Sequence, residues 1–360
     1  MAELLELTEP AAAFARIEDW LAAREFFEAR DELVADLYLG YGLAQAIRRG
    51  SSPAPPEPCP PLPLAACRVR TAVASHRSGD VGIGEWEQTW TAAEYVAAVD
   101  EVRAAIARGD VYQVNLVQHL QAPFVGDPYG LAHRLETLRP LQPSPFVTDT
   151  WSVVSASPEL FLSRSGDVLR TRPIKGTRPL GGRAELLASA KDAAEHVMIV
   201  DLERNDLSRV CVSGTVRWPE LMVAEPLAGV EHLVSTVEGN LRPDAGLAEI
   251  LGALFPGGSV TGAPKIAAVD LIAALEPVGR GASMGALGRV HGNGDLELAL
   301  TIRTFALAGR RIHLWVGGGI VWDSDPREEV AESLVKAVPL LDAIGAPLEP
   351  ARAATGAARR

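Results

Sequence analysis

The sequence has few cysteines, and the three that it has, Cys59, Cys67 and Cys211, form no CxxC pair. A disulfide framework needs paired cysteines at short regular spacings, and a structural zinc site needs clustered cysteine or histidine ligands. Neither pattern is present. If this chain binds a metal ion, we expect oxygen atoms to be the ligands.

The chain also lacks a long apolar run, an excess of basic residues and a secretory leader. No uninterrupted apolar segment of its 360 residues is long enough to cross a bilayer. Lysine plus arginine number 34 against 46 for aspartate plus glutamate, a net charge of −12, and only the final AARR is locally basic. This balance argues against nucleic acid as a partner. The acidic start MAELLELTEP has no cleavage signal, so we expect a cytoplasmic protein with no membrane partner.

The pattern of apolar residues divides the chain into three parts. Apolar residues from Phe14 to Leu37 lie near helical spacing, which predicts helix over residues 11–48. The proline-rich stretch SSPAPPEPCPPLPLA predicts a connector after it. We therefore expect a helical segment and connector over residues 1–65, the main folded domain over 66–345, and a disordered tail of small residues over 346–360.

Within the main domain, strand-like and helix-like segments follow one another irregularly. Thr91 and Glu94 form a capping box, Gly109 ends that helix, and the strand VYQVNLVQHL follows. Further strands are predicted at 151–156, 168–172, 211–218, 231–241, 285–291, 296–305 and 311–316, and helices at 184–207, 244–253, 264–275 and 326–342. Neighbouring strands often have no helix between them. The fold class that this favours is α/β of the α+β kind, with large antiparallel or mixed sheets flanked by helices.

Two loop motifs are candidates for chemistry. In RPIKGTRPLG, Lys175 lies between a proline-restrained backbone and a glycine that allows close approach, so it is a candidate nucleophile; a solvated lysine in a turn is the simpler alternative. In FPGGSVTGAPK, a glycine-rich loop leads into a helix, and its backbone N–H groups can bind a carboxylate. A plain helix cap is the alternative there. The loop lacks the Gly-Lys-Ser/Thr ending of a nucleotide-binding P-loop.

Carboxylates are the third signal. Asp192 and Glu195 on one predicted helix, and Glu329 and Glu332 on another, are each spaced i,i+3 and so lie on one helical face. Two such facing pairs suit Mg²⁺, which prefers octahedral oxygen coordination, although exposed helix faces are often acidic without a metal. Glu159 in SASPELF is a candidate general acid if burial raises its pKa, with a helix cap or ion pair as the alternative.

Taken in order, YQVNL, SASPELF, PIKGTRPLG, KDAAEHVMIVDLERNDLSRV, VEHLVSTVEG, FPGGSVTGAPK, LTIRT and GGGIVWDSDPREEVAESLVKA resemble the chorismate-utilising enzymes over about residues 90 to 342. The resemblance implies a fold in which two large antiparallel sheets pack together, with helices outside and the active site in a cleft. It makes residues 66–345 the chorismate-binding catalytic domain. It also implies Mg²⁺ as cofactor.

The resemblance assigns roles to individual residues. It places magnesium ligands at Glu195 and Glu332, with Asp192 and Glu329 reaching the metal through water. The catalytic positions that match the family are Lys175 as nucleophile, Glu159 as the acid that protonates the departing C4 hydroxyl, and His232 near the ring. Matching substrate positions are Thr177, Ser259, Thr261, Gly262, Arg303, Gly317, Gly318 and Lys336.

Two positions separate members of the family. Family members that add water carry a lysine base where this chain has Gln113, and an amide is a poor base at neutral pH. Anthranilate synthases typically have alanine where this chain has Lys175, which many aminodeoxychorismate synthases share. The resemblance therefore favours component I of aminodeoxychorismate synthase, serving 4-aminobenzoate and folate synthesis. Anthranilate synthase component I and a non-catalytic chorismate-binding subunit are the alternatives.

The sequence also departs from the family. Ser283 occupies a position where many members have an aromatic residue beside the enolpyruvyl carboxylate, and the segment before residue 66 is shorter than usual. No class I glutaminase segment is present. We therefore expect chorismate and ammonia as substrates, with the ammonia supplied by a separate glutamine amidotransferase subunit.

Overall fold

A computed structural model describes residues 3–28, 30–71, 78–227 and 230–348. Its α-helices are α1 Ala13–Ala22, α2 Ala92–Arg108, α3 Pro128–Leu135, α4 Arg183–Ala188, α5 Ala190–Ser208, α6 Leu247–Leu254, α7 Lys265–Leu275 and α8 Pro326–Ala343. Its strands are β1 Glu3–Leu7, β2 Arg30–Leu39, β3 Ala65–Arg70, β4 Val81–Ile83, β5 Glu87–Gln88, β6 Gln113–Gly126, β7 Phe146–Val147, β8 Trp151–Ser155, β9 Leu160–Ser165, β10 Val168–Arg172, β11 Ile174–Pro179, β12 Arg217–Leu227, β13 Val230–Asn240, β14 Gly262–Ala263, β15 Ala286–Gly292, β16 Leu296–Leu300, β17 Thr304–Ala308 and β18 Arg311–Ile320.

The strands form two large sheets, as predicted. A ten-stranded sheet has the order β1-β3-β2-β15-β16-β9-β10-β13-β11, with β12 also paired to β13. An eight-stranded sheet has the order β14-β6-β18-β17-β8-β7, with β4 and β5 also paired to β6. Each strand pair is antiparallel. Side chains from both sheets, such as Leu37 and Leu298 of the first and Leu116 and Trp315 of the second, share one apolar core.

The helical prediction for residues 11–48 is correct only in part: Tyr41–Ile47 is a 3-10 helix, and Ala13–Ala22 is the helix α1. The strand β2 follows, and it pairs with β3 on one side and β15 on the other. Its inner residues from Ala35 to Leu39 are all buried, so no alternation of apolar and polar residues marks it as a strand. The described part of residues 1–65 therefore extends the ten-stranded sheet. Most of the predicted tail, from residue 349 on, lies outside the described residues.

Three other boundaries differ from the predictions. The predicted strand 211–218 is mostly a turn at Gly214, and β12 begins only at Arg217. The predicted helix 184–207 is two helices, because Ser189 is extended and its hydroxyl caps α5 by accepting the N–H of Asp192. The predicted strand 296–305 is interrupted before β17 by Arg303, whose φ of +50° turns the chain.

Two helices place acidic side chains beside the sheets. Helix α5 packs on β11 and β13, and α8 packs on β18 and α2. The 3-10 turn Gly258–Val260 packs against α5 and leads through β14 into α7. Within the described residues, no helix is both long and apolar enough to span a membrane.

Candidate active site

Lys175 lies at an irregularity in β11. The register of β11 against β13 shifts between Lys175 and Arg178. Gly176 between them has φ +63°, and a Cβ added there would stand 2.6 Å from Leu186 Cδ1. Only glycine fits this backbone without strain. The structure thus gives Gly176 a steric role in the bend of the chain beside Lys175, whereas its predicted role, to let a ligand come close, stays a prediction.

Ser259 joins Lys175 to Glu159. The Lys175 ammonium or amine donates to the backbone oxygen of Ser259 across 3.2 Å, and the Ser259 hydroxyl donates to Glu159 Oε1 across 2.8 Å. Glu159 is 5% exposed. Two residues from separate motifs, SASPELF and PIKGTRPLG, therefore meet at the glycine-rich loop FPGGSVTGAPK.

Burial moves both ionisable groups towards their neutral forms. It raises the pKa of Glu159, although nearby Lys175 and the Ser259 hydroxyl pull the pKa back down. It lowers the pKa of Lys175, opposed by the charges of Glu159 and Glu195. A neutral amine is a nucleophile and a neutral carboxyl is a proton donor. The pair therefore has the chemistry of a nucleophile with an adjacent general acid.

His232, Thr177 and Arg303 form a second group. His232 Nδ1 lies 2.8 Å from the Gly176 oxygen and 3.2 Å from the Thr177 hydroxyl, which is consistent with a proton on Nδ1. Its Nε2 is 3.4 Å from an Arg303 guanidinium nitrogen. Burial lowers the pKa of His232, so the ring is neutral at pH 7. The positive φ of Arg303 and its contact with His232 fix the position of the Arg303 side chain. The guanidinium lies near enough to Glu159 for their charges to interact.

The glycines of β18 bring the acidic helix α8 close to the sheet. Lys336 donates to the Gly317 oxygen across 3.0 Å and pairs with Glu332 at 2.7 Å. A Cβ added to Gly318 would stand 3.0 Å from Lys336 Nζ, 3.5 Å from Glu329 Oε2 and 3.7 Å from Glu332 Oε1. These three side chains therefore converge over Gly318, as predicted for residues at a common site.

The four predicted metal ligands do not all converge. Asp192 pairs with Arg178 at 3.0 Å, and Glu329 accepts a hydrogen bond from Ser324 across 2.7 Å. Over the described ranges, no three carboxylate, histidine or cysteine side chains are grouped closely enough to hold a metal ion. Cations of the chain itself pair with two of the four carboxylates, Arg178 with Asp192 and Lys336 with Glu332.

The carboxylates nevertheless interact through their charges. Burial raises the pKa of Glu195, and Asp192 and Glu329 raise that pKa further. Burial likewise raises the pKa of Glu329, with Glu332 as a contributor. Mutual repulsion of this kind is what a bound divalent cation relieves. The oxygen-only donor set fits Mg²⁺ in its chemistry.

The chain has four lysines against thirty arginines, and all four lysines lie at or directly behind this site. Lys175 and Lys336 have been described. The exposed Lys191 lowers the pKa of Glu195, Glu329 and Glu332. Lys265 pairs with the buried Asp206 on α5, behind the glycine-rich loop. Sequence patterns singled out neither Lys191 nor Lys265, although the four-residue spacing of Lys191 and Glu195 was a usable signal.

The remaining predicted positions shape the loop and the strand beside it. The buried Thr261 hydroxyl donates to the Gly257 oxygen across 2.9 Å, so it stabilises the loop itself. A Cβ added to Gly262 would stand 2.1 Å from the Gln113 oxygen, which allows β14 to pair with β6. The buried Ser283 donates to the Thr301 oxygen across 3.3 Å. Ser283 is therefore part of the packed interior.

A cavity of about 270 Å³ lies elsewhere, between α1, α6 and the β15–β16 hairpin. Glu18, Phe27 and Arg164 are among its lining residues. None of the predicted site residues lines it.

Comparison with known proteins agrees with these observations. A 39% identical relative is aminodeoxychorismate synthase component 1 of Bacillus subtilis, matched over 74% of this chain and 58% of that protein. A 38% identical relative is anthranilate synthase component 1 of Streptomyces coelicolor, matched over 88% of this chain and 61% of that protein. The chain thus spans about three fifths of the length of these curated relatives.

Solved structures give the same result for the fold. The crystal structure of anthranilate synthase component I from Streptococcus pneumoniae superposes with a TM-score of 0.77 at 26% identity, over 86% of this chain and 80% of that chain. The family of chorismate binding enzymes matches residues 25–342. Because this match covers every strand of the two sheets except β1, and every motif described above, the chain belongs to the family of chorismate binding enzymes.

Proposed function

We propose that the chain is the synthase component of an aminodeoxychorismate synthase, which converts chorismate and ammonia to 4-amino-4-deoxychorismate. The observation that carries this proposal is the buried pair of Lys175 and Glu159, bridged by Ser259 and shifted by burial towards amine and carboxylic acid. Relatives named as this enzyme, at 39% to 41% identity, support it.

In the proposed reaction the Lys175 amine attacks C2 of chorismate. The ring double bonds shift, the C4–O bond breaks, and Glu159 gives its proton to the departing hydroxyl, which leaves as water. Ammonia then attacks C4, the double bonds shift back and the bond from C2 to Lys175 breaks. The Glu159 carboxylate takes a proton from the incoming nitrogen, so the enzyme returns to its starting state.

The other residues hold the substrate. Arg303, with the backbone of Gly317 and Gly318, is suited to bind the enolpyruvyl carboxylate, because a guanidinium grips a carboxylate through two parallel hydrogen bonds. Lys336 is close to the Mg²⁺ site proposed for the ring carboxylate. There Glu195 and Glu332 would bind the metal directly, with Asp192 and Glu329 through water. When bound, Mg²⁺ supplies positive charge for the ring carboxylate.

We further propose that a separate glutaminase subunit supplies ammonia and that the enzyme works in the cytoplasm for 4-aminobenzoate and folate synthesis. The names of the relatives, which include "component 1", support a second component. Anthranilate synthase component I is the rival function, favoured by the long match to the Streptomyces coelicolor protein. Lys175 distinguishes the two, since the anthranilate reaction needs no lysine nucleophile.

Product analysis tests the proposal. With chorismate, Mg²⁺ and ammonium, we expect 4-amino-4-deoxychorismate, and anthranilate as product would refute the assignment. Without a nitrogen source, wild-type protein should accumulate a covalent adduct, which peptide mapping places on Lys175. Lys175→Ala should form none. If wild-type protein aminates chorismate but never carries the adduct, ammonia displaces the hydroxyl directly and Lys175 is only a positioning residue.

A further inference from the structure

Glu203, on the buried side of α5, holds the glycine-rich loop from behind. Its Oε1 accepts the N–H of Gly258 across 3.1 Å, and the residue is 3% exposed. A Cβ added to Gly258 would stand 2.6 Å from Leu202 Cδ2 and 3.1 Å from Glu203 Oε1. Helix α5 and the loop are therefore in close contact at this hydrogen bond.

The next residue of the loop is Ser259, which contacts Lys175 through its oxygen and Glu159 through its hydroxyl. Movement of Gly258 therefore moves both contacts together. We propose that Glu203 is a positioning residue: its carboxyl group holds Gly258, and through Ser259 it sets the placement and the reactivity of Lys175 against Glu159. The expected effect of Glu203 on catalysis rests on the proposed function. Its effect on the position of Lys175 does not.

The cost of burying Glu203 supports a function for it. Its Oε2 has no hydrogen-bond partner among the described residues. An apolar side chain of similar size would avoid the desolvation of a carboxyl group, which is costly without full pairing. A leucine in its place would fill the space but leave the Gly258 N–H unpaired. The hydrogen bond to the loop is what the carboxyl group adds.

Four ionisable groups surround Glu203. Asp206 lies one turn further along α5, Lys265 reaches in from α7, and Glu159 and Lys175 lie across the loop. Burial, then the charge of Asp206, raises the pKa of Glu203 to about 8, whereas Lys265 lowers it. At pH 7 the side chain is therefore mostly protonated, with Oε1 as the acceptor. When ionised, Glu203 raises the pKa of Lys175 and so disfavours the amine.

Two substitutions separate the hydrogen bond from the charge. Glu203→Gln keeps an oxygen acceptor for Gly258 but cannot ionise, and Glu203→Leu removes both. Asp201→Asn is the matched control, because Asp201 is an exposed acid on the same helix, paired with Arg204. At pH 7 we expect Glu203→Leu to lower kcat with ammonium at least about tenfold with little change in KM for chorismate, since small misplacements of reacting groups are costly. Glu203→Gln should stay within about threefold of wild type.

Trace labelling with acetic anhydride reports the placement of Lys175 without substrate. The chain has only four lysines, so peptide mapping gives the ratio of labelling at Lys175 to labelling at the exposed Lys191 as an internal reference. Glu203→Leu should change this ratio at pH 7 at least about threefold. In Glu203→Gln the ratio should match wild type at pH 7, because the amide keeps the acceptor for Gly258 and the Glu203 side chain, with its pKa raised to about 8, is already mostly neutral at that pH.

A wild-type kcat and labelling ratio in Glu203→Leu would overturn the inference, even if its melting temperature fell. If Glu203→Leu does not fold, Glu203→Met, which also removes the acceptor for Gly258, is measured in its place, and a wild-type kcat and labelling ratio in that variant would overturn the inference. If wild-type protein makes no aminated product with ammonium, the proposed function fails by itself. The labelling ratios then still decide whether Glu203 positions Lys175.

Discussion

Removing the Ser259 hydroxyl tests whether Glu159 acts as the general acid. Ser259→Ala deletes the 2.8 Å hydrogen bond to Glu159 Oε1 but keeps the backbone oxygen that accepts from Lys175. A hydrogen bond to a buried charged group is worth about 1.5–3 kcal/mol, which corresponds to about 1–2 pKa units. The hydroxyl lowers the pKa of Glu159 by stabilising the carboxylate, so its loss raises that pKa further. The proton-donating form then persists to higher pH.

The expected result is that the alkaline limb of kcat moves up by about 1–2 pH units in Ser259→Ala. Chorismate consumption should be followed from pH 6.5 to 9.5 with the concentration of free NH₃, not of total ammonium, held constant. Ser208→Ala is the control, because that exposed hydroxyl donates to the Asn205 oxygen away from the site. A limb that stays in place or moves down would mean that Glu159 is not the acid. The pH at which kcat falls depends on the coupled titration of Glu159 and Lys175. The wild type and Ser259→Ala must therefore be measured under one protocol.

Glu332→Gln should abolish turnover, since it removes a negative charge from the proposed Mg²⁺ site, and full activity of the wild type in EDTA would contradict that site. Glutamine should support turnover only after a glutaminase subunit is added, whereas ammonium should suffice alone; glutamine-dependent product from the single chain would contradict this. Arg280→Met should lower the free energy of unfolding by about 3–5 kcal/mol, because it removes the guanidinium that forms an ion pair with Glu276 at 2.7 Å. The buried Glu276 is then left without its cation. Denaturant titration measures this loss, and a loss below about 1 kcal/mol would show that Glu276 is neutral when buried.

The sequence predicts the parts of the fold where local pattern and tertiary environment agree. Helix α2 has the capping box at Thr91 and the glycine end at Gly109 that were predicted, because both devices act within one turn. Strand β2 was predicted as helix, since Leu33 and Leu37 suit helical spacing and burial on both faces removes the alternation that marks a strand. Only the pairing partners, β3 and β15, decide its conformation.

In the site, too, local spacing predicts some features and only the tertiary packing shows others. The i,i+3 spacing places Glu329 and Glu332 on one face of α8, and the structure brings their carboxylate oxygens together over Gly318. The contact of Glu203 with Gly258 spans 55 residues of sequence. In DLERND the glutamate looks like one charge among several on a solvated helix face, and only the packing of α5 against the loop shows that it is buried.

The different chemistry of lysine and arginine explains why the proposed nucleophile is a lysine. An arginine side chain stays protonated under all conditions relevant to proteins, so it is a permanent cation but no nucleophile. Among the described residues, arginine supplies the cation in most ion pairs, at the surface as in Arg204 with Asp201 and in the interior as in Arg280 with Glu276. The proposed reaction needs Lys175 as a neutral amine. Burial lowers the pKa of Lys175 and so favours the amine, although the charge of Glu159 opposes this. A Lys175→Arg variant should therefore keep the charge, bind chorismate, and form neither adduct nor aminated product.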